Sequence, residues 1–156
     1  KSLIGEKNFE IHVIGKGTLP DNIKKYTEDK NIIMRGYVED INHEFHTADV
    51  VLIPTAIFLG FRCRILNAFA QGACTIIHQN DAINQPEIIN RKNCLVGKNG
   101  DEVSNLVYEA YKNLELRKNI RIEARKLYLN NFSPDISTPI ILDRLKKLAY
   151  KNKDGL

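Results

Sequence analysis

The sequence predicts an α/β domain of three layers, in which helices cover both faces of a mostly parallel sheet. Short apolar runs alternate with helical stretches in the first half of the 156 residues, and longer helical periodicity follows in the second half. Several apolar runs are continuous, which is typical of parallel strands buried on both faces. With 43% hydrophobic and 27% charged residues, the composition is that of a folded chain. The length fits a single domain, which we expect to span residues 1–156.

Five strands are predicted from short runs rich in β-branched and other apolar residues. They cover residues 9–14, 31–35, 50–53, 74–77 and a short run at 93–96. Gly15 and Gly36 follow the first two strands, and Pro54 stops the third. These residues interrupt regular structure, so they predict where each strand ends.

Helices are predicted between and after the strands. They cover residues 19–29, 40–47, 62–71, 101–114, 115–130 and 139–150. Gly72 is expected as the C-terminal cap of the third helix, and Pro134 and Pro139 are expected to bracket a non-helical link before the last one. The last helix is amphipathic, and its predicted buried side chains are Ile141, Leu142, Leu145 and Leu148.

Charge and cysteine content narrow the functional classes. The 23 Lys and Arg residues exceed the 19 Asp and Glu residues by four, and this excess suits an anionic small molecule or a membrane surface at least as well as nucleic acid. Cys63, Cys74 and Cys94 form no CxxC pair, so neither a disulfide framework nor a zinc knuckle is indicated. We expect a reducing, cytoplasmic location, and peripheral membrane contact stays open.

Gly15 and Gly17 lie between a strand and a helical stretch, where a dinucleotide-binding fold has its glycine-rich phosphate loop. The third glycine of that pattern is replaced by Pro20, and no acidic residue ends the next strand to hold a ribose. A nicotinamide cofactor is therefore disfavoured. The alternative is a tight turn that needs glycine for its backbone angles.

Residues 54–72 are the most informative stretch. A buried strand ends at Pro54, a loop contains Gly60, and a helix begins near Arg62. This order brings a helix N-terminus and the guanidinium groups of Arg62 and Arg64 to the carboxyl end of a parallel strand, which predicts a pyrophosphate site. The structural alternative is that both arginines are solvated first-turn residues, although cations at a helix N-terminus oppose the helix dipole.

Here the sequence resembles the group 1 glycosyltransferases, retaining enzymes with the two-domain GT-B architecture. Their C-terminal domain, a Rossmann-like fold, has a strand ending in Pro-Ser, a Gly-Thr-Arg-x-Lys type of loop and then Leu-Glu-Ala-x-Ala-x-Gly, a register that residues 60–72 match. Further matches in the same order are Gly36-Tyr37-Val38, Ala48-Asp49-Val50, Pro86-Glu87-Ile88-Ile89, Asn93-Cys94-Leu95-Val96 and Asn131-Phe132-Ser133. The resemblance covers about residues 9–150, and several ordered matches are more specific than any one motif.

The resemblance implies that a nucleotide diphosphate sugar lies across the strand ends. The implied donor-binding residues are Gly15, Gly17, Tyr37, Val38, Gly60, Phe61, Arg62, Arg64 and Asn67. Arg62 and Arg64 would neutralise the diphosphate, and Asn67 would hold the ribose. The full enzyme would transfer a hexose to a glycan or lipid-linked acceptor, without a cofactor, a metal or nucleic acid. No catalytic residue is assigned.

The chain departs from the family pattern in two respects. The family commonly has two glutamates, one at the donor-sugar hydroxyls and one at the ribose, and these positions are Leu59 and Asn67 here. Asn67 can still form hydrogen bonds with a ribose hydroxyl, whereas Leu59 cannot. The family's preceding strand, helix and acceptor-binding domain are not in the sequence, so we expect a fragment that lacks the central strand and is inactive alone.

Two other functions stay open. A degenerate, non-catalytic domain would serve as a partner module and would show no saturable response to any nucleotide sugar. An unrelated nucleotide-binding α/β module, such as an oxidoreductase domain, would bind NAD instead of UDP or GDP.

Three further features are interpreted structurally. His43 and His46 have helical spacing, but no third metal ligand is nearby, so surface histidines are expected. Glu87 is expected to cap a turn after Pro86. A solvated helix face, not a nucleic-acid stripe, is predicted for the basic cluster of Arg117, Lys118, Arg121, Arg125 and Lys126.

Overall fold

The computed structural model describes residues 9–57, 60, 62–83 and 85–151. Its strands form two parallel ladders. In the first, β1 (Ile11–Ile14) pairs with β2 (Ile32–Gly36). In the second, β4 (Thr75–His78) lies between β3 (Val51–Ile53) and β5 (Leu95–Gly97). All five predicted strands are present and parallel, and each begins one or two residues later than predicted.

Helices follow or connect the strands. They are α1 (Asp21–Lys24), α2 (Ile41–Thr47), α3 (Cys63–Ala70), α4 (Gln79–Ala82), α5 (Gly100–Lys112), α6 (Leu114–Asn131) and α7 (Pro134–Lys151). The first helix is much shorter than predicted, and α4 was not predicted. After α3, Gly72 has a left-handed backbone (φ +61°) and its amide donates to the Phe69 carbonyl. Gly72 therefore ends α3 as predicted.

The core is built around β4, whose four residues are all buried. Ile76 and Ile77 belong to two different hydrophobic clusters, because successive strand residues point to opposite faces of a sheet. Ile77 lies in the cluster that contains Ile65 and Phe69 of α3, and Ile76 lies in the one that contains Leu106 of α5. Helices thus cover both faces of this ladder, as the sequence predicts.

The first ladder is less buried. Neither β1 nor β2 contains a buried residue, and Ile11 and Met34 are exposed. Within the described residues, no strand joins β1 to β3, so the predicted sheet consists of two separate ladders.

The prediction for the last helix is wrong in two ways. The helix begins at Pro134, a position where proline is well tolerated, so Pro139 lies inside it and residues 134–139 are helical. The non-helical link between α6 and α7 is residues 132–133. The four side chains predicted to be buried, Ile141, Leu142, Leu145 and Leu148, are 50–59% exposed. The apolar pattern shows which face of a helix can be buried, but burial also requires another element against that face.

The prediction of a solvated basic face on α6 is also wrong for Arg117 and Arg121, which are half-buried, whereas Arg125 is exposed but bonded to another helix. Arg117 donates to carbonyls in the last turn of α5, Arg121 to carbonyls at the end of α2, and Arg125 to the last carbonyl of α3. The final carbonyls of a helix lack intrahelical partners and carry partial negative charge, so guanidinium donors stabilise them. Lys118 and Lys126 are exposed, as predicted.

Among the described helices, none combines the length and the apolar character needed to cross a bilayer.

Candidate functional site

The carboxyl ends of β3, β4 and β5 meet at one edge of the three-stranded ladder, because the strands are parallel. A cavity of about 420 Å³ lies at this edge. Its lining includes Pro54 and Ala56 after β3, His78 at the end of β4, and residues 98–100 after β5. Such an edge is where open α/β sheets bind ligands.

Hydrogen bonds fix the three segments that follow these strands. The Nδ1 atom of His78 accepts from the Asn80 amide at 3.1 Å, so Nε2 carries the ring proton and donates to the Lys98 carbonyl at 2.8 Å. The Asn80 side chain donates to the Ala56 carbonyl at 2.6 Å. The segment after β3 is therefore tied to the segment after β4, which is tied to the segment after β5.

Arg62 is held in a buried ion pair. Its Nε donates to Asp81 Oδ1 at 3.1 Å, and its Nη2 donates to the Ile57 carbonyl at 3.1 Å. The Arg62 side chain is 13% exposed and that of Asp81 is 1% exposed. The N-cap residue of α3 is thus fastened to α4 and does not project freely into solvent.

Arg64 and Asn67 lie three residues apart on α3, so they share one face of the helix. Both residues are exposed, and neither side chain forms a hydrogen bond or ion pair with the part of the chain that the structure describes. Before α3, Gly60 has φ +80°, a backbone conformation that favours glycine. Phe61 and Leu59, which the sequence analysis singled out, lie outside the described residues.

The remaining predicted site residues lie at the carboxyl ends of β1 and β2. The Gly15 amide donates to the Gly36 carbonyl at 2.8 Å, and Gly15 and Gly17 both have positive φ. The Lys16 ammonium lies 4.4 Å from the centroid of the Tyr37 ring. Val38 is half-buried and Tyr37 is 66% exposed. The structure therefore brings the glycine turn and the Tyr37 segment together.

The predicted residues thus form two groups, one after each ladder. No hydrogen bond or ion pair within residues 9–57, 60, 62–83 and 85–151 joins the glycine turn to α3. Asp81, Asn80 and His78 were missed by sequence reasoning. The only available signal was a short polar run directly after a buried strand, because their partners lie about 20 residues away along the chain.

The cysteine and histidine side chains of the described residues form neither a reactive-thiol site nor a metal site. Cys63 is exposed at the start of α3, whereas Cys74 and Cys94 are buried. Burial raises the pKa of Cys74 to about 11, and burial also raises the pKa of Cys94 well above its ordinary value. Both buried thiols therefore stay protonated near neutral pH. Among the described residues, no group of three His, Cys, Asp or Glu side chains is placed to hold a metal ion.

Comparison with known protein families identifies one family. The family model of the glycosyl transferases group 1 matches residues 2–114, which is more than two thirds of the chain. Comparison with curated proteins gives no significant sequence match.

Several solved structures share the fold of this chain. Alr3699/HepE from Anabaena, solved with UDP, has a TM-score of 0.77 at 14% identity over 96% of this chain and 43% of its own. A glycosyltransferase from Rickettsia africae has a TM-score of 0.73 at 18% identity over 95% of this chain and 42% of its own.

The C-terminal domain of the group 1 glycosyl transferase LpcC from Francisella tularensis has a TM-score of 0.68 at 21% identity, over 85% of this chain and 74% of that domain. The chain therefore spans less than half the length of the Anabaena and Rickettsia proteins, and it has the fold of a GT-B C-terminal domain.

Proposed function

Because the chain belongs to the group 1 glycosyl transferases, we propose that it is a donor-binding domain whose ligand is a nucleotide diphosphate sugar. The full enzyme transfers a hexose to a glycan or lipid-linked acceptor with retention at the anomeric carbon. The HepE protein, which shares the fold, was solved with UDP and with UDP and glucose. We also propose a cytoplasmic location with peripheral membrane contact, in line with three unpaired cysteines and an excess of basic residues.

The observation that carries this proposal is the exposed Arg64 at the N-terminal end of α3, the helix that follows β3 along the chain. A cation at this end of a helix opposes the helix dipole, and no described residue compensates its charge. A bound diphosphate would pair with Arg64 and accept hydrogen bonds from the amides of the first helical turn. In this proposal Asn67, on the same face, bonds a ribose hydroxyl.

During transfer, the bond between the anomeric carbon and the diphosphate oxygen breaks, and a bond to the acceptor hydroxyl forms as that hydroxyl loses its proton. Negative charge develops on the departing nucleoside diphosphate. A guanidinium already in position stabilises this charge without reorganising solvent. In this proposal Arg64 provides that stabilisation, Tyr37 contacts the base, and the proton acceptor is not assigned. Transfer itself is expected only in the longer enzyme, which carries an acceptor-binding domain.

The test is a calorimetric titration of the chain with UDP, GDP, ADP and NAD. We expect one nucleoside diphosphate to bind, and Arg64→Met to weaken its binding by about 10-fold or more, because hydrogen bonds to charged groups contribute about 1.5–3 kcal/mol. Lys118→Met removes an exposed cation from α6 and should leave the dissociation constant unchanged. Binding of NAD alone would instead indicate an oxidoreductase module, and binding of none of the four would contradict a donor-binding domain.

A further inference from the structure

The Arg62–Asp81 pair has an unusual arrangement for a stabilising contact. Asp81 Oδ1 accepts from Arg62, but Asp81 Oδ2 is buried and has no hydrogen-bond partner among the described residues. A buried carboxylate oxygen without a donor loses its hydration and gains nothing in return. Buried ion pairs are often no more stabilising than apolar side chains of similar volume, even when fully hydrogen-bonded. Stability alone therefore does not account for this pair.

The pair does have a clear geometric effect. Arg62 is the N-cap residue of α3, and Asp81 lies in α4 at the end of the neighbouring strand. The Arg62 guanidinium is fixed from two sides, by Asp81 and by the Ile57 carbonyl, while its Nη1 group has no partner among residues that the structure describes. Asn80, beside Asp81, holds the same loop through the Ala56 carbonyl. One donor group of a rigidly held guanidinium thus remains available beside the start of α3.

We infer that Asp81 is a positioning residue for the donor diphosphate. It orients Arg62 so that the free donor group meets the diphosphate at the N-terminus of α3, next to Arg64. A preorganised guanidinium loses less conformational entropy on binding than a free one, so the orientation raises diphosphate affinity although Asp81 itself is negative. This inference rests on the proposed function, and it assigns different tasks to the two arginines: Arg62 is fixed in place and Arg64 is free in solvent.

A positioning role and simple charge neutralisation predict opposite effects of Asp81→Ala on diphosphate affinity. If Asp81 only neutralised Arg62, Asp81→Ala would leave one more net positive charge at the site and strengthen diphosphate binding. If Asp81 positions Arg62, Asp81→Ala weakens diphosphate binding. The readout is the dissociation constant of the nucleoside divided by that of the nucleoside diphosphate of the same base. A general loss of structure would weaken the binding of both ligands and leave this ratio unchanged.

We expect Asp81→Ala and Arg62→Met each to lower this ratio by about 10-fold, which corresponds to one charged hydrogen bond. The double variant R62M/D81L should lower it by no more than either single change, since both act through the same guanidinium. R62M/D81L leaves no unpaired buried charge and is therefore expected to fold. Arg62→Lys is a second variant, which keeps the positive charge opposite Asp81. Asp143→Ala on α7 removes the same charge from an exposed ion pair and is the matched control.

The outcomes separate the two proposals. A wild-type chain that binds no nucleoside diphosphate more tightly than the nucleoside would overturn the donor-binding function, and with it the role of Asp81. If the wild-type chain binds a nucleoside diphosphate more tightly than the nucleoside, and Asp81→Ala leaves the ratio unchanged or increases it, the role of Asp81 alone is overturned.

Discussion

Gly97, at the end of β5, is a residue for which only glycine leaves enough space. A Cβ atom there would lie 2.8 Å from Val103 Cγ2 and 2.9 Å from the Val103 amide nitrogen. The backbone at Gly97 does not have a positive φ, so conformational freedom is not the reason for this glycine. The close approach of β5 and α5 is the reason, and it also shapes the cavity that Val103 lines.

We predict that Gly97→Ala lowers the free energy of unfolding by about 1–3 kcal/mol, because backbone atoms must move to admit the methyl group. Gly100→Ala is the control, since no atom lies within 4 Å of a Cβ built there. Urea denaturation of both variants measures the effect, with the midpoint shifted and the slope unchanged. Equal midpoints for the two variants would show that Val103 can move away from Gly97 at little cost.

Among elements, α6 has a role beyond burying an apolar face. Ile120 and Ala124 pack into the core, while Arg117, Arg121 and Arg125 reach the C-terminal ends of three other helices. Arg121 Nη2 donates to the His46 carbonyl at 3.1 Å, and Arg121 Nη1 donates to the Ala48 carbonyl at 3.4 Å. One helix thereby satisfies carbonyl groups of α2, α3 and α5 that have no partner inside their own helices.

Arg121→Met and Arg125→Met should each lower the free energy of unfolding by about 1–2 kcal/mol, through loss of charged hydrogen bonds and of a favourable helix-dipole interaction. Methionine keeps most of the apolar stem, so packing is largely preserved. Lys118→Met, on an exposed position of the same helix, should change stability by less than about 0.5 kcal/mol. Thermal and urea unfolding of the three variants measure these changes. If Lys118→Met lowered the free energy of unfolding as much as the arginine variants, the capping role would be refuted.

Over the whole molecule, burial is uneven. The ladder of β3, β4 and β5 with α3, α5 and α6 holds the buried core, whereas β1, β2 and α7 contribute no buried apolar residue among those the structure describes. Leu145 and Leu148 of α7 are 56% and 59% exposed, and Ile120 of α6 is fully buried. Stability should therefore depend much more on the ladder of β3, β4 and β5 and the helices packed on it than on the apolar face of α7.

The free energies of unfolding of single variants, measured by urea denaturation, test this difference. Leu145→Gln and Leu148→Gln should each cost less than about 0.5 kcal/mol, as expected of exposed sites, whereas Ile120→Ala should cost about 2–5 kcal/mol through lost burial and a cavity. If Leu145→Gln destabilised the chain as much as Ile120→Ala, the α7 face would be packed in solution, against the exposure seen in the structure.

Local pattern was sufficient for much of the fold and part of the site. Strand positions, parallel pairing, the Gly72 cap and the α/β class follow from β-branched runs and glycine positions, which depend on a few neighbouring residues. The helix predicted over residues 62–71 contains Arg64 and Asn67, and α3 includes both. The family resemblance, confirmed by the model match over residues 2–114, also came from an ordered series of short motifs.

The tertiary structure decided which partner each side chain has. Arg62 pairs with Asp81, 19 residues away, although the sequence predicts only a diphosphate contact for it. Arg121 and Arg125 bond carbonyls 55 to 75 residues away, although the sequence predicts a solvated face for both. The exposure of α7 has the same origin. Periodicity is a property of a single element, so sequence reveals it, whereas burial and ion pairing depend on where other elements lie, which only the folded chain determines.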